Sequence, residues 1–212
     1  MRSGGPVGHH RSMIEPATEL TDGVVLLRRW RADDLEPLLH VVQDSLAHLE
    51  PFMPWAVGGY SQDDGVRFLR DAERQWSAGE AFDYANVGAD GEILGAASLM
   101  TRLGPGAFEI GYWIGRRHTG HGLVTRAAAL LTTEAFRLGR ERVEIRHDQA
   151  NVRSGLVPQR LGFTRSGTAP AELPGGTAST GVHVHWRMTA EVWASRDSGA
   201  AGTVPGAAGR GR

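Results

Sequence analysis

The stretch that decides the fold reads Phe108-Glu109-Ile110-Gly111-Tyr112-Trp113-Ile114-Gly115, then Arg116-Arg117-His118-Thr119-Gly120-His121-Gly122, then Leu123-Val124-Thr125-Arg126-Ala127-Ala128-Ala129-Leu130-Leu131. Aromatic and β-branched residues alternate over its first part, which predicts a strand. Its last part is rich in Ala and Leu at helical spacing. The glycines between them allow close approach to the backbone, and a helix start offers free N–H groups and the positive end of its dipole. The stretch therefore predicts a strand–loop–helix unit that binds a phosphate or pyrophosphate.

Two other classes of glycine-rich phosphate loop do not fit this stretch. A nucleoside-triphosphatase loop ends in Lys-Ser or Lys-Thr, and the chain has no lysine, because all 23 of its basic residues are arginines. A dinucleotide fingerprint needs a third glycine, near the place that Arg126 occupies, and it opens the first βαβ unit of a domain. Here the unit follows several earlier strand-like segments.

The motif Arg117-x-x-Gly120-x-Gly122 resembles the acyl-CoA signature, Arg/Gln-x-x-Gly-x-Gly/Ala, of the GNAT superfamily of N-acyltransferases. The Glu109-Ile110-Gly111-Tyr112-Trp113-Ile114 block, Asn151-x-x-Ser154 and Leu161-Gly162-Phe163 resemble, more narrowly, the ribosomal-protein N-terminal acetyltransferases of the RimJ/RimL type. The three blocks stand in the family's order, and the resemblance spans about residues 20–195.

This resemblance implies acetyl-CoA as acyl donor, with its pantetheine arm along the strand at Trp113, Ile114 and Gly115. It implies pyrophosphate contacts from Arg117, His118, Thr119, Gly120, His121, Gly122, Leu123, Val124 and Thr125. Asn151 and Ser154 would lie beside the thioester, where Ser154 gives a proton or hydrogen bond to the departing sulfur. Helix capping is the alternative interpretation of Asn151.

Two glutamates compete for the role of general base. Glu172 follows Phe163 by nine residues and resembles the catalytic glutamate of RimL-type enzymes if one residue is deleted from its loop. Glu109, on the signature strand, is the second candidate, because many superfamily members use a carboxylate there. For each, an exposed acid or a structural ion pair is the alternative. Phe52 and Trp55 are predicted to wall the acceptor pocket, and a core aromatic lid is their alternative role.

The pattern of the rest of the chain predicts a single domain over 20–196, between a mobile leader, 1–19, and a disordered Gly/Ala-rich tail, 197–212. Strands are predicted at 24–30, 81–88, 92–101, 108–114, 142–147, 163–168 and 182–188, and helices at 32–48, 62–78, 123–138 and from 151. This order predicts an α/β (mixed α+β) domain in which helices flank a central mixed, mostly antiparallel sheet. It is also the GNAT arrangement.

Composition limits the remaining function classes. A net charge of −1 gives no support for nucleic-acid or membrane partners. The absence of cysteine excludes a thiolate nucleophile, so the acyl group is expected to pass directly within a ternary complex, and it agrees with a cytoplasmic location. No metal is expected, because His183 and His185 lie on one strand face without a third ligand.

The acceptor is expected to be an amine. An α-amine has a pKa about 2.5 units below that of a lysine side chain, which makes deprotonation at neutral pH about 3.4 kcal/mol easier and favours a protein or peptide N-terminus. Three alternatives stay open: a small amine such as an antibiotic, polyamine or amino acid; another acyl-CoA donor; and a non-catalytic acyl-CoA sensor. The sequence also leaves the oligomeric state open, with a homodimer as one option.

Overall fold

The computed structural model describes the backbone of residues 15–200 and the side chains of residues 15–196. The strands of this part are β1 (Glu19–Thr21), β2 (Leu26–Arg29), β3 (Ala81–Val87), β4 (Ile93–Met100), β5 (Ala107–Ile114), β6 (Arg142–Asp148), β7 (Thr164–Pro170) and β8 (Val182–Thr189). The helices are α1 (Leu35–Gln43), α2 (Leu46–Leu49), α3 (Gln62–Ala78), α4 (Leu123–Arg137), α5 (Val152–Arg160) and α6 (Ala190–Ala200). Single 3₁₀ turns occupy Ala32–Asp34, Pro54–Ala56 and Arg116–His118.

The strands form one sheet in the order β1-β2-β3-β4-β5-β6-β8-β7. Every neighbouring pair is antiparallel except β5 and β6. The predicted α/β fold with a mixed, mostly antiparallel sheet is therefore confirmed.

The parallel pair β5–β6 separates half-way along its length. Pairing with β6 ends at Ile110, opposite Ile145, although β5 stays paired with β4 as far as Ile114. Strand β6 meanwhile continues beside β8 as far as Asp148. The second half of β5 thus has an edge without a strand partner, and an opening lies between the two strands.

Apolar side chains cover both faces of the sheet. On one face, Phe108 and Ile110 of β5 pack against the fully buried Leu131 of α4. On the other face, Val42 of α1 packs against Ala96 of β4. The alternation of residues along β5 and the helical spacing of α4 produce this arrangement directly.

The predicted helix at 32–48 is wrong in its continuity, since the segment forms a 3₁₀ turn followed by α1 and α2. The carboxylate of Asp34 pairs with Arg28 at 2.7 Å and accepts a hydrogen bond from the backbone of Arg31 at 2.8 Å. The segment is interrupted a second time at the buried Ser45, whose hydroxyl accepts a hydrogen bond from the backbone N–H of Arg116 at 2.9 Å. Tertiary contacts therefore override the local helical preference.

The chain ends add two elements that the sequence patterns do not predict, β1 and α6. Residues before β1 are held by the domain: Ala17 donates its N–H to the Glu134 carboxylate at 2.7 Å, and its carbonyl accepts the Tyr84 hydroxyl at 2.8 Å. Residues 15–19 of the predicted leader thus take part in the fold, and α6 extends beyond position 196. The rest of the predicted leader and tail, 1–14 and 201–212, lies outside the described residues.

Candidate active site

A cavity of about 640 Å³ occupies the opening between β5 and α5 and continues along the start of α4. Twelve of the residues singled out from the sequence line it: Phe52, Trp113, Ile114, His118, Thr119, Gly120, Gly122, Leu123, Val124, Thr125, Asn151 and Ser154. The fold therefore gathers into one site motifs that are about 30 residues apart in the chain.

The free edge of β5 offers backbone groups to the cavity. The N–H of Gly115 is already used, because it donates to the carbonyl of Leu94 at 2.7 Å. In an antiparallel ladder alternate residues face the partner strand, so Trp113 and Gly115 direct their backbone groups to β4. Tyr112 and Ile114 direct theirs to the open side. Gly115 itself is required for packing, since a Cβ there would lie 2.8 Å from the side chain of Val41.

The glycine loop and the first turn of α4 form a concave stretch of backbone on the cavity wall. Gly120 and Gly122 have φ angles of +85° and +74°, and a Cβ built on either meets no protein atom within 4 Å. The first hydrogen bond of α4 runs from the N–H of Arg126 to the carbonyl of Gly122. Within the part of the chain that is described, no N–H from Gly120 to Thr125 donates to a protein acceptor. Such a run of free donors at a helix start is suited to phosphate.

Positive charge adds to this preference for an anion. Arg153 and Arg160 line the cavity, together with His48 from the end of α2. Burial, then the charges of Arg153 and Arg116, hold the pKa of His48 below its ordinary value of 6.5. His48 is therefore neutral at neutral pH, and the cationic character of the site comes from its arginines.

Arg117 and His121 lie away from the cavity wall. The Arg117 side chain is exposed and pairs with Asp44 at 2.9 Å, and His121 is exposed. The loop thus presents backbone groups to the cavity rather than these two side chains.

Ser154 is fixed at the start of α5 by two neighbours. The side chain of Asn151 caps the helix by accepting the N–H of Ser154 at 3.2 Å. The Tyr112 hydroxyl donates to the Ser154 carbonyl at 3.0 Å, and the Ser154 hydroxyl lies 3.3 Å from the same phenol oxygen. Burial raises the pKa of Tyr112, so the phenol stays protonated. Asn151 thus caps α5, and both Asn151 and Ser154 also line the cavity.

The two candidate bases differ sharply in their surroundings. Glu172 is 77% exposed at the start of the loop between β7 and β8, 3.3 Å from the guanidinium of Arg146. Glu109 is only 3% exposed, paired with Arg102 and, at 3.5 Å, with Arg146. Neither carboxylate is on the cavity wall. Glu109 is enclosed between two arginines, whereas Glu172 is exposed to solvent beside Arg146.

The aromatic loop after α2 contributes unequally to the cavity. Phe52 lies on its wall with Met53, whereas Trp55 does not. Trp55 instead packs edge-on to Tyr60, at 5.5 Å between ring centroids, and against Trp113 at 5.6 Å. Trp55 therefore supports the cavity through Trp113.

A family model for the acetyltransferase (GNAT) domain matches residues 25–164. The chain belongs to this acetyltransferase family. It is 30% identical over 149 residues to a curated protein of Bacillus subtilis (strain 168) named "Putative ribosomal N-acetyltransferase YdaF", a match that covers 68% of this chain and 80% of the relative. The resemblance to GNAT acetyltransferases with RimJ/RimL-like relatives is thus confirmed.

Two solved structures show the same fold. RimJ of Mycobacterium smegmatis in complex with CoA-disulfide has a TM-score of 0.73 at 24% identity and covers 86% of this chain and 93% of that one. The microcin C7 self-immunity acetyltransferase MccE, in complex with acetyl-CoA and AMP, has a TM-score of 0.73 at 20% identity, covering 79% and 93%. Both relatives are described with a CoA-type molecule bound.

Several cavity residues of this GNAT domain are not predicted as site residues by the sequence patterns. Tyr112 reads as a core residue of an alternating strand, and His48 as part of a longer helix. The alternation of apolar residues along the strand is the one sequence signal for Tyr112, and it does not reveal at which end β5 separates from β6.

Among the described residues, no cluster of three or more His, Asp or Glu has metal-binding geometry. Within the same part, no helix has the length and hydropathy needed to cross a membrane.

Proposed function

We propose that this GNAT domain transfers the acetyl group of acetyl-CoA directly to the α-amine of a protein or peptide N-terminus. The observation that carries the proposal is the run of free N–H groups from Gly120 to Thr125, placed on the same cavity as Ser154. One end of the cavity suits a pyrophosphate, and the other holds a hydroxyl that can protonate a leaving group.

The residues present fit acetyl-CoA. Positive φ and open space at the Cβ positions of Gly120 and Gly122 let phosphate oxygens reach the backbone. Tyr112 and Ile114 supply strand-edge groups to an extended arm, as a strand added to a sheet would use them. Arg153 and Arg160 add charge at the cavity wall. When bound, acetyl-CoA supplies an activated thioester carbonyl.

The chain's own groups then handle two protons. The acceptor nitrogen forms a bond to the carbonyl carbon, the carbon–sulfur bond breaks, and sulfur leaves with the bonding electron pair. The Glu172 carboxylate takes the proton that nitrogen loses, directly or through water. The Ser154 hydroxyl gives a proton to sulfur and regains one from solvent, to which Glu172 releases its own. Glu172 suits this role better than Glu109, because Glu109 is enclosed by Arg102 and Arg146.

The α-amine is the acceptor that this arrangement favours. An exposed glutamate is a weak base, and an α-amine with a pKa of about 7.7–8.0 is already partly neutral near pH 7. A lysine side chain would need about 3.4 kcal/mol more for deprotonation. The name of the Bacillus subtilis relative also indicates a ribosomal acceptor.

The proposal is tested by mass spectrometry on an amine panel with acetyl-CoA. The panel holds Ser- and Ala-starting peptides, N-terminally blocked lysine peptides, polyamines and aminoglycosides. We expect acetylation of α-amines, with kcat at least about 10²-fold lower in both Glu172→Gln and Ser154→Ala. The matched control is Glu80→Gln, an exposed glutamate paired with Arg74 at 3.0 Å. Acetylation of only a polyamine or antibiotic, or binding of acetyl-CoA without turnover of any amine, would refute the proposed acceptor.

A further inference from the structure

Asp148, the last residue of β6, holds two separate segments with one carboxylate. Only 6% of the residue is exposed. Its Oδ2 accepts the Ser179 hydroxyl at 2.6 Å and the Thr180 N–H at 2.8 Å. Its Oδ1 accepts the Ala150 N–H at 2.9 Å and the Thr180 hydroxyl at 3.0 Å. Both oxygens therefore bind a backbone N–H, and the two N–H groups come from different segments.

The first segment leads to Ser154. The Asp148 carbonyl accepts the N–H of Asn151 at 2.9 Å, while the carboxylate holds Ala150. Asn151 in turn accepts the N–H of Ser154. The start of α5, and with it the proposed proton donor, is thus tied to Asp148 through consecutive hydrogen bonds.

The second segment leads to Glu172. The loop between β7 and β8 is closed at its neck by a hydrogen bond from the N–H of Ala171 to the carbonyl of Gly181, at 2.8 Å. Ser179 and Thr180, on one leg of that neck, are bound by Asp148. Glu172 lies on the opposite leg, directly after Ala171. The carboxylate of Asp148 therefore fixes the leg across from the proposed base.

We infer that Asp148 is a positioning residue that sets the Glu172 loop relative to Ser154. This inference rests on the proposed roles of Glu172 and Ser154. Burial opposes ionisation of Asp148, but hydrogen bonds from Ser179, Ala150 and Thr180 together outweigh it and hold its pKa below the ordinary 3.8. At neutral pH the group is a carboxylate that accepts four hydrogen bonds.

The sharpest test is Asp148→Asn, which keeps the shape and removes one acceptor. The new amide has a single oxygen, so whichever way it turns, the N–H of Ala150 or of Thr180 loses its acceptor. We expect kcat for the acceptor peptide to fall about 10²-fold, because small misplacements of catalytic groups have effects of that size. The Kd for acetyl-CoA should stay within about twofold, since the glycine loop is untouched. Loss of acetyl-CoA binding in parallel with kcat would overturn the inference.

Two comparisons separate positioning from a general loss of stability. Asp34→Asn is the matched control, because Asp34 is a buried carboxylate held by Arg28 and by the backbone of Arg31, and it does not line the cavity. We expect it to lower the melting temperature without changing kcat of the folded enzyme. In a Glu172→Gln background, Asp148→Asn should lower kcat by less than about threefold further, because coupled residues are not additive. Full additivity would overturn the inference.

Amide hydrogen exchange on the full chain gives a readout that does not depend on activity. Asp148→Asn should speed exchange both in 171–181 and in 150–155, and leave β3 and β4 unchanged. Ser179→Ala keeps the charge and should speed exchange in 171–181 alone. Uniform acceleration, or acceleration in one segment only for Asp148→Asn, would contradict the coupling. If Glu172→Gln keeps full kcat while exchange changes as expected, the proposed base is wrong and the coupling stands.

Discussion

Tyr112 and Ser154 meet across the opening beside β5, where the Tyr112 hydroxyl donates to the Ser154 carbonyl at 3.0 Å. The Ser154 hydroxyl lies 3.3 Å from the Tyr112 phenol oxygen. The phenol therefore holds both the backbone and the side chain of the proposed proton donor in position. We expect Tyr112→Phe to lower kcat about fivefold, the equivalent of one hydrogen bond of about 1 kcal/mol. Steady-state kinetics with the acetylated peptide measures this.

Tyr84→Phe is the control for that variant. It also removes one hydrogen bond of a buried phenol, the bond to Ala17 at 2.8 Å, and it lies outside the cavity wall. Both variants should lose about 1 kcal/mol of unfolding free energy. An equal fall of kcat in both would mean that Tyr112 acts only through stability.

Gly122 supplies the second prediction, because it starts α4 with a φ of +74°. Gly122→Ala should raise the Kd for acetyl-CoA about tenfold, since its methyl group enters the space where phosphate reaches the backbone. Placing alanine in this left-handed conformation should also lower the unfolding free energy by about 1 kcal/mol. Gly104→Ala is matched, with a φ of +85° and no neighbour within 4 Å, in a turn away from the cavity.

Isothermal titration with acetyl-CoA and thermal unfolding separate the two effects. Both alanine variants should unfold at similarly lowered temperatures, but only Gly122→Ala should bind acetyl-CoA more weakly. Equal affinities in the two variants would exclude the glycine loop as the phosphate site.

Much of the fold, and the glycine-loop side of the cavity, can be predicted because their signals are local. The alternation from Phe108 to Ile114, the glycines and the Ala/Leu spacing lie in one continuous stretch, and the structure forms it as β5, loop and α4. The capping of α5 by Asn151 is equally local, with a side chain three residues before Ser154.

The surroundings of the candidate bases cannot be predicted from local signals. The predicted helix at 32–48 is interrupted at Ser45, whose hydroxyl accepts a hydrogen bond from the distant Arg116 N–H. Glu109 and Glu172 differ in burial and in their arginine partners. The sheet register and the folding of the loops bring Arg102 and Arg146 to Glu109, and Arg146 to Glu172. Hydrophobic periodicity and secondary-structure propensity contain no information about partners that are distant in the sequence.

Glu109 gives the third prediction, a structural one. Its carboxylate is buried and paired with Arg102 and with the mostly buried Arg146. Glu109→Gln removes this charge, which leaves Arg146 with only Glu144, at 3.9 Å, and the exposed Glu172, at 3.3 Å, as ion-pair partners among the described residues. We expect the unfolding free energy to fall by about 3 kcal/mol. Glu172→Gln, at an exposed position, should change it by less than about 0.5 kcal/mol.

Urea unfolding of both variants, together with kcat of the folded fraction, tests the division of roles. Glu109→Gln is expected to unfold early and keep most of its kcat, whereas Glu172→Gln is expected to stay stable and lose kcat. The opposite pattern would make Glu109 the base.

Gly176 links the two loops of the acceptor side, and it gives the last prediction. The loop between β7 and β8 is docked on the segment after α2 by hydrogen bonds from Thr177 to the Glu50 carbonyl, at 3.0 Å, and from Ala178 to the Pro51 carbonyl, at 2.9 Å. A Cβ at Gly176 would lie 2.1 Å from the Glu50 oxygen and 2.5 Å from the backbone N of Phe52. These are backbone atoms, so Gly176→Ala must displace one loop from the other.

Because Phe52 lines the cavity and Glu172 lies in the displaced loop, Gly176→Ala should raise KM for the acceptor peptide about tenfold and lower kcat. The Kd for acetyl-CoA should not change. Gly106→Ala is the control, since a Cβ there meets only the flexible Glu141 side chain, at 3.3 Å. Unchanged acceptor kinetics in Gly176→Ala, with the variant folded, would show that the docked loops do not form the acceptor site. A weakened acetyl-CoA affinity would place their effect on the donor side instead.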